Sequence, residues 1–192
     1  MHWSFIIAIV VILIVLTFLL VIFLPKPVYF YDPKQICPYL LTYDQYADKI
    51  QEEINTNAKS LYSDAITTME NSTENQINKI TDNFIFVTPA SEDMPYRDIL
   101  PATCEFYQAI SGLSLQILMQ DVKTEKTFKG DDSYYCLIPL ATDDKSYIAI
   151  DGEKKIIKEN RIIVFKTKLD FTINNKDKYK SLKYLLIKLN IC

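Results

Sequence analysis

The chain has 192 residues, 49% of them hydrophobic and 23% charged, with a formal net charge of −3 at pH 7. With that charge and only two arginines, Arg97 and Arg161, it lacks the basic surface that nucleic-acid binding requires, and we expect no nucleic-acid partner. The single histidine, His2, stands near the N-terminus, so the body of the chain lacks the commonest side chain for binding transition metals or transferring protons at neutral pH.

An uncharged apolar run occupies Phe5–Leu24. About 20 residues at about 1.5 Å each cross a hydrocarbon core of about 30 Å, so the run predicts a transmembrane helix with the lipid bilayer as its partner. A cleavable signal peptide is the alternative, but its basic front and small-residue cleavage site are missing, and Pro25 follows the run directly. We therefore predict an anchor over 1–24, a linker over 25–37 and a single-pass membrane location.

The side of the membrane that the body faces is left open by two opposing indications. Lys26 and Lys34 follow the run and nothing basic precedes it, which favours a cytoplasmic body. A glycosylation sequon at Asn71 and four cysteines able to form disulfides would instead suit an oxidising compartment. The cysteines, whose spacing lacks the paired pattern of a zinc site, are Cys37, Cys104, Cys136 and Cys192.

Helical periodicity dominates the first half of the body. Apolar residues recur at three- and four-residue spacing over 42–54, which predicts an amphipathic helix. Further helical stretches are expected at Leu61–Met69, around Ile77–Ile80 and at Ala102–Ile110. Gly112 follows the last of these in the position that favours a left-handed cap.

Beyond Gly112 the apolar period changes to two, which predicts short strands. The predicted strands are Leu113–Met119, Tyr134–Leu140, Tyr147–Ile150, Arg161–Lys166, Phe171–Ile173 and Lys183–Leu189. Asp151 and Gly152 lie between two strand-like runs and predict a two-residue hairpin turn. A series of short strands after a helical first half indicates an antiparallel sandwich or small barrel with helices on one side.

Several segments, taken in order, carry a resemblance to a known family. They are Pro38–Leu40, Tyr46–Glu53, Ile99–Thr103, Ile110–Gly112, Leu115–Met119, Gly130, Leu137–Leu140, Ile150–Glu153, Lys158–Glu159 and Ile162–Phe165. Their order and spacing resemble the aspartyl/asparaginyl β-hydroxylase family, whose catalytic domain is a double-stranded β-helix that binds iron and 2-oxoglutarate. The resemblance implies an α+β fold class, in which the N-terminal transmembrane helix precedes helices packed on a cupin-like jelly roll over 38–192.

The family holds its iron with two histidines, the first in a His-x-Gly context and the second a few residues beyond a Phe that ends a strand. Aligning Gly130 puts Phe128 at the first position, and aligning Phe165 puts Phe171 at the second. Phenylalanine has no lone pair to offer a metal, so we expect no iron, no cofactor and no catalytic residue here. The two rings are instead expected to touch and to fill the barrel mouth, and burial of each is worth about 1.5–3 kcal/mol.

A plainer alternative is that Phe128 and Phe171 are ordinary interior aromatics of an unrelated β domain. The arginines that would hold 2-oxoglutarate in the family are absent as well; Tyr134 or Tyr135 and Leu182 or Lys183 take their places. Lys183 could replace one of these arginine charges, but its ammonium is a point charge and does not offer the planar pair of donors of a guanidinium. Five carboxylates could still hold a hard cation such as Ca²⁺ or Mg²⁺, namely Asp131, Asp132, Asp143, Asp144 and Asp170. Carboxylates in turns are usually solvated, and we expect that here.

Together these features predict a single-pass, membrane-anchored, catalytically inactive hydroxylase-like domain that acts as a structural or protein-binding module. The chain is rich in Ile, Lys, Asn and Tyr and poor in Gly, as coding from an AT-rich genome would produce. Many large DNA viruses and parasites share that bias; in a viral genome the module would suit a virion or host internal membrane, with virion or membrane-assembly components as partners. The alternative is an active metal-dependent 2-oxoglutarate dioxygenase with atypical ligands.

Overall fold

The structure is a computed structural model and describes residues 2–23, 27–70, 84–87, 97–142 and 144–190. Its helices are α1 (His2–Phe23), α2 (Pro33–Ile36), α3 (Tyr43–Glu70) and α4 (Pro101–Ala109), with a 3-10 turn at Pro38–Thr42. Its strands are β1 (Phe30–Tyr31), β2 (Phe84–Val87), β3 (Gly112–Gln120), β4 (Glu125–Phe128), β5 (Ser133–Ala141), β6 (Tyr147–Ile150), β7 (Glu153–Ile156), β8 (Ile163–Thr167), β9 (Phe171–Asn174) and β10 (Leu182–Leu189).

The strands form two antiparallel sheets. The larger sheet has the order β1-β8-β5-β10-β3-β2, and the smaller has the order β4-β9-β6-β7. From β3 to β10 the chain crosses between the sheets at every step except β6 to β7, which is the winding of an eight-stranded jelly roll. The strand order therefore confirms the predicted cupin-like double-stranded β-helix with helices beside it.

The turn between β6 and β7 has the predicted form. Ile150 pairs with Glu153, and the two residues between them, Asp151 and Gly152, have φ angles of 48° and 79°. Two successive positive φ angles are the signature of the type I′ turn, whose twist matches that of the flanking strands.

Two apolar layers make up the core. One lies between the helices and the larger sheet and includes Ile50 of α3, Phe106 of α4 and Ile187 of β10. The other lies between the two sheets and includes Phe165 of β8 and Phe171 of β9. The larger sheet is thus buried on both faces, which explains why β5 and β10 are almost continuously apolar.

Helix α3 joins the helix predicted over 42–54 and the looser stretch at Leu61–Met69 into one helix. Its Glu53 carboxylate accepts hydrogen bonds from the backbone N–H groups of Ala102 (2.6 Å) and Thr103 (3.0 Å) at the start of α4. An acceptor from another helix therefore caps α4, which lacks a side-chain cap of its own. The helix predicted around Ile77–Ile80 lies outside the described residues.

The end of α4 differs from the sequence expectation. Ser111 adopts the left-handed conformation, with a φ of 50°, whereas Gly112 already belongs to β3. Gly112 serves packing instead, because a Cβ at that position would lie 2.2 Å from a ring carbon of Tyr107. The prediction that Gly112 supplies the left-handed cap is therefore wrong by one residue.

Part of the segment predicted as a linker over 25–37 is folded onto the jelly roll. β1 pairs with β8, and Cys37 is fully buried in the helix-side core. Among the described residues, the helices include none with the length and apolarity that a membrane crossing requires. The transmembrane assignment of Phe5–Leu24 stays a prediction.

Candidate functional site at the barrel mouth

Phe128 and Phe171 lie side by side at one end of the barrel, called here the mouth. Phe128 is the last residue of β4, Phe171 is the first residue of β9, and the two are paired directly across the strands. Their rings stack with centroids 5.1 Å apart and planes inclined by 12°. The prediction that these two rings touch is confirmed.

The stack continues into the barrel. Phe171 is 1% exposed and contacts Phe165 edge-on, with ring centroids 4.9 Å apart, and Tyr135 at 5.4 Å. Tyr135 and Phe165 are themselves stacked at 5.4 Å. The rings of both sheets thus form one aromatic cluster, defined here as Phe128, Tyr135, Phe165 and Phe171.

A carboxylate on the rim of the mouth is held by three donors. Asp131 accepts hydrogen bonds from the Tyr135 hydroxyl (2.6 Å) and the Ser133 backbone N–H (3.2 Å), and it forms an ion pair with the Lys188 ammonium. Partial burial alone would raise the pKa of Asp131, but the hydrogen bonds from Lys188, Tyr135 and Ser133 outweigh it and lower the pKa well below its ordinary value. Asp131 is therefore exposed, as predicted for a turn carboxylate, and is in addition held as an anion by specific donors.

Tyr135 connects this rim to the aromatic cluster. Burial, reinforced by the hydrogen bond to the Asp131 carboxylate, raises the pKa of the Tyr135 hydroxyl far above its ordinary value. The hydroxyl therefore stays protonated and acts as a donor, not as a base.

Lys188 was missed by sequence reasoning, which placed Leu182 or Lys183 at the family arginine position of this strand. Lys183 donates to the Asn55 side chain of α3 (2.7 Å), so it contacts the helix side of the sheet and not the mouth. Lys188 shares its face of β10 with Tyr184 and Leu186, both in the core between the sheets. Lys183, named from the sequence as a residue that could replace one family arginine charge, thus lies away from the mouth; β10 is buried on both faces, so its apolar pattern does not reveal which side faces inward.

The remaining candidate carboxylates do not converge. Asp132 lies 3.7 Å from the Lys166 ammonium and 3.3 Å from that of Lys168, while Asp144 and Asp170 are exposed. Asp143 lies outside the described residues. The part of the chain that the structure describes contains no cluster of three or more His, Cys, Asp or Glu residues that could hold a metal ion.

Three cysteines are buried in the helix-side core, namely Cys37, Cys104 and Cys136. Burial raises the pKa of the Cys104 and Cys136 thiols, which disfavours the nucleophilic thiolate at neutral pH. Cys192 lies outside the described residues. The described cysteines thus serve as small apolar core residues.

Neither family models nor curated proteins match this chain. Among similar solved structures, AviO1 from Streptomyces viridochromogenes Tue57 has a TM-score of 0.44 at 10% identity, over 74% of this chain and 85% of its own. A prolyl-4-hydroxylase from Pseudomonas putida has a TM-score of 0.43 at 10% identity, over 76% and 88%. A cupin protein from Bacteroides fragilis has a TM-score of 0.36 at 17% identity, over 43% and 69%.

The chain spans less than two thirds of the length of two further similar structures, from Photorhabdus luminescens and Streptococcus pyogenes. The fold assignment rests on the strand order of the two sheets. The resemblance to the aspartyl/asparaginyl β-hydroxylase family is matched by no family model and stays an expectation.

Proposed function

We propose that this protein is a non-enzymatic binding or structural module, built on a hydroxylase-like jelly roll and attached to a membrane by its apolar N-terminal run. The observation that carries the proposal is the stacked pair Phe128 and Phe171 at the mouth of the barrel. On the expected alignment with the hydroxylases, these rings take the positions of both metal-binding histidines.

The chemistry of the mouth supports a role without iron. Fe(II) in such enzymes requires imidazole and carboxylate ligands, and two phenylalanine rings supply neither. The Asp131 carboxylate on the rim already accepts hydrogen bonds from Tyr135 and Ser133 and pairs with Lys188. An incoming metal would have to compete with the Lys188 ammonium for this carboxylate, which disfavours an enzyme with atypical ligands.

Titration calorimetry of the full chain tests this proposal. Fe(II) under anaerobic conditions and 2-oxoglutarate should each give no saturable heat, and stoichiometric binding of either would overturn the proposal. If iron bound through Asp131, Asp131→Asn should abolish that binding and the matched exposed variant Asp170→Asn should keep it.

The membrane part of the proposal is supported by the sequence Phe5–Leu24 and by side chains of α1. Ile6, Val11 and Ile14 are 52%, 52% and 62% exposed, so none of them is covered by the jelly roll. Contiguous exposed apolar surface marks a site of contact with a membrane or with another protein. A virion or host internal membrane, as expected from the composition, is the setting we propose.

Flotation of the full chain with phosphatidylcholine vesicles tests the attachment. We expect the protein to float with the vesicles and the double variant Val11→Lys/Ile14→Lys to stay in the aqueous fraction, since a lysine at a helix centre costs about 2.5–3.5 kcal/mol on insertion. The matched variant Val11→Ala/Ile14→Ala should still float. Recovery of the unaltered chain in the aqueous fraction would contradict the attachment.

A further inference from the structure

A shallow pocket of about 410 Å³ opens on the surface where the segment after α1 meets the end of β8. The backbone N–H of Lys166 donates to the carbonyl of Tyr29 (2.9 Å), so the chain around Val28 runs beside Thr167 and Lys168. Both apolar and charged side chains line the pocket, among them Val28, Tyr29, Asp132, Lys166, Lys168 and Leu169.

The charged part of the pocket carries a formal excess of one positive charge. The ammonium groups of Lys166 and Lys168 lie 3.7 Å and 3.3 Å from the Asp132 carboxylate, which is their shared counter-ion. The side chain of Asp132 is 46% exposed and that of Lys168 is 74% exposed, so solvent screens these ion pairs and they exchange readily. An external anion can therefore take the place of Asp132 between the two lysines.

The apolar part of the pocket lies beside these charges. Val28 is 64% exposed and Leu169 is 47% exposed, and Tyr29 belongs to the same lining. Exposed aliphatic side chains next to a tyrosine and two lysines suit a ligand that has a phosphate and an apolar portion. Tyrosine and lysine are also residues enriched where protein meets lipid headgroups.

The covalent chain keeps this pocket close to the apolar run. Val28 follows Phe23, the last residue of α1, by five positions. Five residues span at most about 18 Å, so a membrane that holds α1 has its headgroup layer within reach of the pocket. This step rests on the membrane attachment proposed above.

We propose that the pocket binds the phosphate of an anionic phospholipid in the membrane that holds α1. Lys166 and Lys168 contact the phosphate, Asp132 is displaced from them, and Val28 and Leu169 contact the glycerol and upper acyl region. A juxtamembrane pair of lysines attracts anionic lipids in this way.

The test uses the full chain in nanodiscs of pure phosphatidylcholine and in nanodiscs with about 30% phosphatidylserine, the class of anionic lipid that attracts juxtamembrane lysines. The first measurement is the rate at which an amine reagent labels each lysine, read by mass spectrometry. Labelling of Lys166 and Lys168 should slow several-fold with phosphatidylserine, while Lys178 and Lys180, at the other end of the barrel, should keep their rates. Equal slowing at all four lysines, or none, would overturn the proposal.

The second measurement counts the phosphatidylserine molecules retained by the protein on extraction, by native mass spectrometry. Lys166→Gln/Lys168→Gln should lose the retained lipid, and the charge-matched control Lys178→Gln/Lys180→Gln should keep it. Asp132→Asn, which removes the internal competitor, should raise retention several-fold. Retention that is the same in all three variants would contradict the assigned site.

Two further controls distinguish an error in the assigned ligand or pocket from an error in the proposed membrane attachment. Inorganic phosphate added to the phosphatidylcholine discs should leave the labelling of Lys166 and Lys168 unchanged, and slowing equal to that by phosphatidylserine would reassign the pocket to a free anion. A chain that enters the discs but shows no lipid dependence contradicts the pocket alone. A chain that enters neither kind of disc contradicts the membrane attachment and this proposal together.

Discussion

The two ends of the barrel are filled by different kinds of side-chain interaction. The mouth is filled by stacked rings, with Phe171 in contact with Phe128, Phe165 and Tyr135. The opposite end, called here the closed end, is filled by hydrogen-bonded polar side chains, and Gln120, Ser146 and Asn175 are at most 5% exposed there. One end thus depends on apolar area and the other on complete hydrogen bonding.

Asn175 is the centre of the closed end. Its amide nitrogen donates to the carbonyls of Gln120 (3.0 Å), Asp121 (2.9 Å) and Lys180 (3.1 Å). Its amide oxygen accepts from the Ser146 hydroxyl (3.2 Å) and the Asp177 backbone N–H (3.0 Å). This side chain connects three loops, so hydrogen-bond geometry holds the strand ends together at the closed end, whereas packed rings do so at the mouth.

The largest effect is expected at the mouth, from Phe171→Ala. Removal of a fully buried ring with three aromatic neighbours leaves a cavity and should lower the free energy of unfolding by about 3–5 kcal/mol. Urea denaturation followed by far-UV circular dichroism measures it. Tyr179→Ala, at a side chain that is 89% exposed, is the control and should change stability by less than about 0.5 kcal/mol. A loss below about 1 kcal/mol for Phe171→Ala would mean that the mouth is not packed as described.

At the closed end, Asn175→Ala should be the next most damaging change. It leaves three carbonyls and a buried hydroxyl without their partner, and we expect the free energy of unfolding to fall by about 2–4 kcal/mol. The same denaturation series measures it, with Gln108→Ala on the exposed face of α4 as an amide control near zero. Rescue by Asn175→Leu, of similar volume, would show that volume and not hydrogen bonding matters at this end.

Sequence reasoning succeeded where the residue type itself restricts the local backbone conformation. Asp151 and Gly152 predict a type I′ turn because few residues adopt two positive φ angles, and the turn is there. The contact between Phe128 and Phe171 followed from a resemblance that aligned two distant positions, and it needed no knowledge of side-chain packing. The period of two likewise predicted most of the strands.

Sequence reasoning failed where long-range packing decides. Lys183 and Lys188 both occur in an apolar strand, and only the two-sided burial of β10 separates the helix side from the mouth. Asn175 belongs to no periodic pattern, so nothing in its neighbours predicted a buried amide network. Gly112 was assigned a cap by its place after a helix, although the Tyr107 ring is what excludes a side chain there.

A smaller effect at the mouth is expected from Gly130→Ala. A Cβ at this position would lie 2.2 Å from the carbonyl oxygen of Leu169, a backbone atom that a rotamer change cannot move aside. The loops that flank Phe128 and Phe171 would have to separate, which should cost about 1–3 kcal/mol. Gly112→Ala meets the ring of Tyr107, a buried core residue, at the same 2.2 Å and should cost a similar amount; a clearly smaller cost for Gly130→Ala would indicate that the loops yield more easily than the core.

The smallest effect is a pH dependence that arises at the rim of the mouth. The pKa of Asp131 is lowered in the folded protein, so the carboxylate stabilises the fold above its unfolded pKa of about 3.9, and this contribution is lost as the pH falls through the folded pKa. Because the Asp131 side chain is 46% exposed, we expect only about 1 kcal/mol or less.

Urea denaturation at neutral pH and at about pH 3, below the ordinary carboxylate pKa, measures this contribution. Asp131→Asn should reduce the loss of stability between the two pH values, and Asp170→Asn should leave it as it is. The same loss in Asp131→Asn as in the unaltered chain would mean that the aromatic cluster alone closes the mouth. In that case the rim charges would contribute nothing to the stability of the fold.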